Sequence, residues 1–188
     1  MQLRSSKARR LLAALLLAGL SSAQARAQGG EVLYGPRAGD LLTSFNLSYD
    51  FSDTDGLEAE ELTARAGLSW FLTRHHELGL DLAAAFRAVE GGGDSSRHFL
   101  GPVYNYNVYL TPGTTLYAGG RLGLAISDTH ETSSQTDLAY GLQVGLRAWL
   151  TPRVALDIEP RYTRTELDAE GLDGRDEFGI LLGFNVVL

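Results

Sequence analysis

From Ser44 onward the chain alternates apolar and polar residues, broken only by short polar stretches. The clearest run is Leu138–Tyr162. Leu138, Tyr140, Leu142, Val144, Leu146, Leu150, Val154, Leu156 and Ile158 fall on one parity, and Gly141, Gln143, Gly145, Arg147, Asp157, Glu159 and Arg161 on the other. A period of two means β-strands with one apolar and one polar face. Thr151-Pro152-Arg153 is long enough only for a hairpin turn, and Pro152 presets φ there. These strands exceed the usual soluble length of about 5–6 residues. They suit a tilted bilayer span of about 9–11.

The same reading divides the remainder. Strand one sets Phe45, Leu47, Tyr49 and Phe51 against Ser44, Asn46, Ser48 and Asp50, and Ser52–Glu61 reads as an acidic loop. Strand two runs Leu62–Leu72, Thr73–His76 is a tight connection, and strand three runs Leu78–Arg87. Glu90–Arg97 is a loop, strand four spans Val103–Leu110, and Pro112-Gly113 makes a turn. Strand five is Leu116–Ile126, Ser127–Asp137 is a polar loop, and strands six and seven form the Leu138–Tyr162 hairpin. Glu166–Asp176 is a last acidic loop before strand eight, Phe178–Leu188. Trp70-Phe71-Leu72-Thr73, Val108-Tyr109-Leu110-Thr111 and Ala148-Trp149-Leu150-Thr151 each close a strand at a short turn, an internal repeat that supports this register. Short and long connections alternate, as in an outer-membrane barrel. The expected fold is an all-β, eight-stranded antiparallel up-and-down barrel over residues 40–188.

Alternation does not say which face is inside, since a soluble lipocalin-type barrel has the same period and the opposite orientation. Strand glycines, including Gly67, Gly79, Gly123, Gly145 and Gly183, sit on the polar face, with Gly120 the exception. A barrel of eight strands has room inside only for packed side chains, which favours small residues there. The polar face also mixes Arg65, Arg87, Arg121, Arg147 and Arg161 with Asp81, Asp157 and Glu159. Such charges can pair in a narrow lumen. With Leu150 opposite Val154, Arg147 falls opposite Asp157 and Gln143 opposite Arg161, as pairs on one face. Trp70, Phe86, Tyr104, Tyr162 and Phe178 lie on the apolar face toward strand ends, as an interfacial girdle would. The apolar face is therefore expected to meet lipid.

Composition refines this picture. Residues 1–27 join a basic start (Arg4, Lys7, Arg9, Arg10) to the apolar run Leu11–Leu20 and small-residue exits at Ala25 and Ala27, the form of a cleaved signal peptide. Residues 28–39 are a Gly-rich periplasmic lead-in. Loss of the signal removes five basic residues and no acid, so the net charge falls from −7 to −12. An exported domain this acidic is a poor nucleic-acid binder. Cysteine is absent, which excludes disulfides and thiolate metal sites.

The pattern resembles the small outer-membrane β-barrel proteins of Gram-negative bacteria, the OmpA/OmpX-like and opacity-type group. The resemblance spans the mature chain. Gly183, Val186 and Leu188 fit the last-strand signal of that group, while Leu181 stands at its polar position and Leu188 at its terminal aromatic. It implies recognition by the barrel assembly machinery, periplasmic chaperones during export, and contact with outer-membrane lipids and lipopolysaccharide.

Candidate chemistry is sparse. His75 and His76 sit in a turn, and strand neighbours would point to opposite faces, which disfavours joint metal ligation. His98 follows Ser95-Ser96, but Phe99-Leu100-Gly101 follows it, so the His-x-Ser-Asn-type motif of lipid A deacylases is absent. The loop acids (Asp53, Asp55, Glu58, Glu60 and Glu61; Asp128 and Glu131; Asp168, Glu170, Asp173 and Asp176) lack the spacing of a calcium loop. Gly91–Gly93 precedes no helix and cradles no phosphate. No cofactor and no enzymatic activity are expected. The expected role is structural or surface-interacting, with four acidic loops displayed. A narrow pore is the alternative, and a lipid-modifying enzyme the next.

Overall fold

A computed structural model describes residues 34–54, 57–89, 95–129, 132–166 and 174–188. The signal peptide, Gly91–Gly93 and the loop acids Asp55, Glu131, Asp168, Glu170 and Asp173 lie outside them. Eight strands follow one another: β1 (Leu41–Thr54), β2 (Leu57–Phe71), β3 (His76–Val89), β4 (Ser95–Thr111), β5 (Thr114–Thr129), β6 (Thr132–Trp149), β7 (Val154–Glu166) and β8 (Arg175–Val187). Each pairs antiparallel with its sequence neighbours, and β8 returns to β1, so the sheet closes. Closure removes the unpaired edges that an open sheet would present to lipid.

The two faces separate as the period demands. Leu142 is 68% exposed on the outer wall, while its neighbour Gln143 is 2% exposed inside. Phe45, Leu80, Leu122, Phe178 and Leu182 face out, and Asn46, Asp81, Arg121, Arg147 and Asn185 are buried within. Trp70, Phe86, Tyr104, Tyr162 and Phe178 are all exposed on the apolar exterior. The β6–β7 register pairs Arg147 with Asp157 and Gln143 with Arg161.

Three connections expected as loops carry strand in their described residues. Residues 52–54 and 57–61 extend a long hairpin, in which Ser52 pairs with Ala59 and Asp53 with Glu58. Ser127–Asp137 likewise continues β5 and β6 up to Thr129 and Thr132, and β4 starts at Ser95. Apolar alternation stops where lipid stops, but the backbone ladder needs no apolar face and continues into solvent. At the opposite end, the connections at 72–75, 112–113 and 150–153 are tight turns.

The closing seam is short. β1 pairs with β8 only from Leu42↔Val187 to Leu47↔Leu182, whereas β1 pairs with β2 along its whole length. β8 ends at Val187, and Leu188 follows the strand with its N–H donating to the Leu41 carbonyl at 2.9 Å.

Candidate functional site in the barrel lumen

The lumen is built in layers from the tight-turn end upward. The lowest is apolar: Leu42, Phe71, Trp149, Ala155 and Val187 pack together, with Tyr34 against them. The lead-in residues 34–40 cross this mouth as a strap. The Gly35 N–H donates to the Pro152 carbonyl at 3.3 Å, and the Gly39 N–H to the Phe71 carbonyl at 2.8 Å. Both glycines have positive φ, +85° and +94°, which a side chain would resist. A Cβ on Gly35 would also lie 3.1 Å from the Trp149 ring. Trp149 itself donates from Nε1 to Thr115 Oγ1 at 2.9 Å.

Above this plug sits an ionic network. Arg147 holds Glu77 with both terminal nitrogens, at 2.8 and 3.2 Å, and Asn107 donates to the same carboxylate at 3.2 Å. Arg65 makes a two-point contact with Asp81 at 2.9 and 2.7 Å and reaches Glu159 at 2.9 Å. Arg161 also donates to Glu159 and lies 3.8 Å from Asp81. The Tyr117 hydroxyl sits 2.7 Å from Glu159 and 3.0 Å from Asp157, and its single proton goes to the nearer carboxylate. Asn46 donates to Asp157 at 3.2 Å, and Gln143 donates to Asn105 at 2.8 Å.

Five of the eight candidate lumen charges, Arg65, Asp81, Arg147, Glu159 and Arg161, thus join ion pairs. Asp157 is buried, accepts from Asn46 and lies beside the Tyr117 hydroxyl. Arg147, opposite Asp157 in the ladder, crosses the lumen to Glu77 instead. The barrel is narrow enough for an arginine to reach the far wall, so neighbours in the ladder need not be partners. Arg121 is buried over the Phe99 ring, 3.4 Å from its centroid. Arg87 is half-buried opposite Glu61, near the far end.

Sequence reading missed Glu77, Asn46, Asn105, Asn107 and Tyr117 as network members. Glu77 lies one alternation before Gly79 and Asp81, a signal hidden by ending the turn too late.

Outside the lumen the histidines are structural contacts. His75 and His76 do not face apart as strand neighbours would. His75 lies in the turn, and both rings meet Tyr106, at 5.9 and 5.2 Å between centroids. Each uses Nδ1 locally, His75 on the Asn107 carbonyl and His76 on the Tyr104 hydroxyl. His98 is edge-on to Phe86 on the outer wall, with no hydrogen bond to Ser95 or Ser96 among the described residues. Among these residues no group of three or more His, Cys, Asp or Glu side chains is placed to hold a metal ion.

Gly183 packs closely against β1, where a Cβ would fall 2.0 Å from the Phe45 carbonyl. Val186 pairs with Thr43, and the Val187 N–H donates to the Arg153 carbonyl. Gly183 and Val186 therefore stand on the strand that closes the barrel, and Leu188 follows it.

Solved structures with the same fold include Neisserial surface protein A, 18% identical, covering 81% of this chain and 99% of that one, with a TM-score of 0.65. OprG from Pseudomonas aeruginosa is 14% identical, covers 82% and 98%, and scores 0.55. Ail, the attachment invasion locus protein of Yersinia pestis, is 13% identical, covers 81% and 100%, and scores 0.51. A search of curated proteins finds no match. Residues 12–185 match the family described as the outer membrane protein beta-barrel domain, and the chain belongs to that family of outer-membrane barrels.

Proposed function

We propose that this barrel is a sealed membrane scaffold whose task is to hold acidic hairpins at the cell surface for interaction with an external partner. The filled lower lumen carries this reading. The strap and apolar layer cover one mouth, and the Glu77–Arg147 and Arg65–Asp81–Glu159–Arg161 contacts cross the section above it. Strands that continue beyond the lipid-facing pattern carry the displayed segments. Their acids, with no mature lysine to offset them, favour a basic or cation-bridged partner.

Surface display is tested by single-cysteine labelling, which the lack of native cysteine makes clean. An impermeant maleimide should label Asp128→Cys on intact cells and Arg153→Cys only after permeabilisation. Reversed labelling would overturn the orientation. The interaction role is tested with nanodiscs of zwitterionic lipid. The full barrel should retain an oligoarginine peptide in a salt-sensitive way, and neutralising Asp53, Glu58 and Glu60 should weaken retention. Equal retention by both proteins would refute it.

A further inference from the structure

The upper lumen, beyond the ionic network, is hollow. A cavity of about 110 Å³ lies there, lined among others by Ser48, Phe99, Arg121, Ala139, Phe178 and Gly179. Its lining combines charged side chains, Glu61, Arg97, Arg161 and Glu177 among them, with an apolar patch where Ala83, Ala125 and Ala139 pack around Phe99. A dry cavity of ~150 Å³ is enough to admit benzene. This one therefore has room for a carboxylate head and a few carbons.

Two features distinguish it from a packing void. The first is Arg121. It is 6% exposed, its Nε has no hydrogen-bond partner, and it makes no ion pair among the described residues. Its cation rests on the Phe99 ring, although a buried charge ordinarily requires a paired counter-charge. The second is the seam. The β1–β8 ladder ends at Leu47↔Leu182, so Ser48 on the β1 edge and Phe178 and Gly179 on the β8 edge lie beyond it, with no pairs across the seam. These residues also line the cavity. Phe178 is 72% exposed on the lipid face, so a residue of this seam that lines the cavity also meets lipid. A Cβ on Gly179 would meet nothing within 4 Å.

We infer that this cavity binds a single-chain amphipathic carboxylate from the outer leaflet, its head on Arg121 and its chain leaving through the open β1–β8 seam. The head accepts from the arginine, the first carbons lie against Phe99 and the alanines, and the remaining chain stays in lipid. The site is a dead end, since the ionic network lies beneath it, and it is compatible with a sealed barrel.

The test uses the full barrel in zwitterionic nanodiscs, with radiolabelled dodecanoate and acetate as probes and empty nanodiscs as the partition baseline. Dodecanoate should bind saturably above baseline and more tightly than acetate. Arg121→Gln should weaken it about tenfold or more, the range of a lost charge-assisted contact. Gly179→Leu, for which the backbone has space, should weaken it similarly by filling the seam. Arg74→Gln, at the tight-turn end, should leave it unchanged. Heat-dependent gel mobility checks folding, and should Arg121→Gln fail to fold, Gly179→Leu carries the reading. Dodecanoate retention equal to empty nanodiscs, or unaffected by both substitutions, overturns the proposal. Acetate binding as tight as dodecanoate, with Gly179→Leu silent, also overturns it, because the anion then comes from water.

Discussion

At the residue scale, adjacent positions on one strand experience opposite solvents. Leu142 faces lipid and Gln143 is buried against Asn105. Arginine at mid-membrane on a barrel exterior costs about 2–4 kcal/mol. Leu142→Arg should therefore lower stability by that order in urea unfolding from lipid vesicles. Gln143→Arg meets no lipid, but it adds a cation opposite Arg161 and loses the Asn105 contact, so a smaller loss is expected. Equal losses would contradict the face assignment. A second substitution tests the network. Glu77→Gln leaves Arg147 without its carboxylate, and breaking a buried pair costs about 3–5 kcal/mol. Replacing both by methionine should recover most of that loss, which a double-mutant cycle would measure. The faces were readable from glycine and arginine placement alone. The partners were not: Arg147 and Glu77 lie 70 positions apart, and Arg65 and Glu159 lie 94 apart. Nothing local in the sequence encodes which arginine crosses to which wall.

At the element scale, the strand cores were legible because lipid enforces alternation, and the Leu150–Val154 turn set the β6–β7 register correctly. The hairpin ends were not legible, since in solvent a ladder can persist with any polar sequence. Residues 52–61 show this: Asp53 pairs with Glu58 and Asp50 with Glu61 in the register, and like charges opposite each other weaken such a ladder. The strap was also hidden, because its hydrogen bonds run through backbone carbonyls of Pro152 and Phe71 that carry no sequence signature. The last strand has the most exacting task. Deleting Val186–Leu188 removes two ladder pairs from a seam of six and the Leu188 contact to Leu41. We propose that these residues also carry the assembly signal. The truncated chain should accumulate unfolded in the periplasm and lose its heat-dependent gel shift. Normal outer-membrane levels of folded protein would count against both roles.

On the scale of the whole molecule, an apolar exterior, a charged interior and a plugged mouth underlie our proposal of a barrel that spans the membrane without opening it. The plug and the network lie in series, so ions crossing the lumen would have to displace both Trp149 with its neighbours and the arginine–carboxylate contacts. The upper cavity lies on the far side of the network and adds no through-path. Single-channel recording of the purified wild-type barrel in a planar lipid bilayer tests this most directly. The account expects a flat baseline with no sustained unit conductance across the voltage range; stable, reproducible open levels would contradict it.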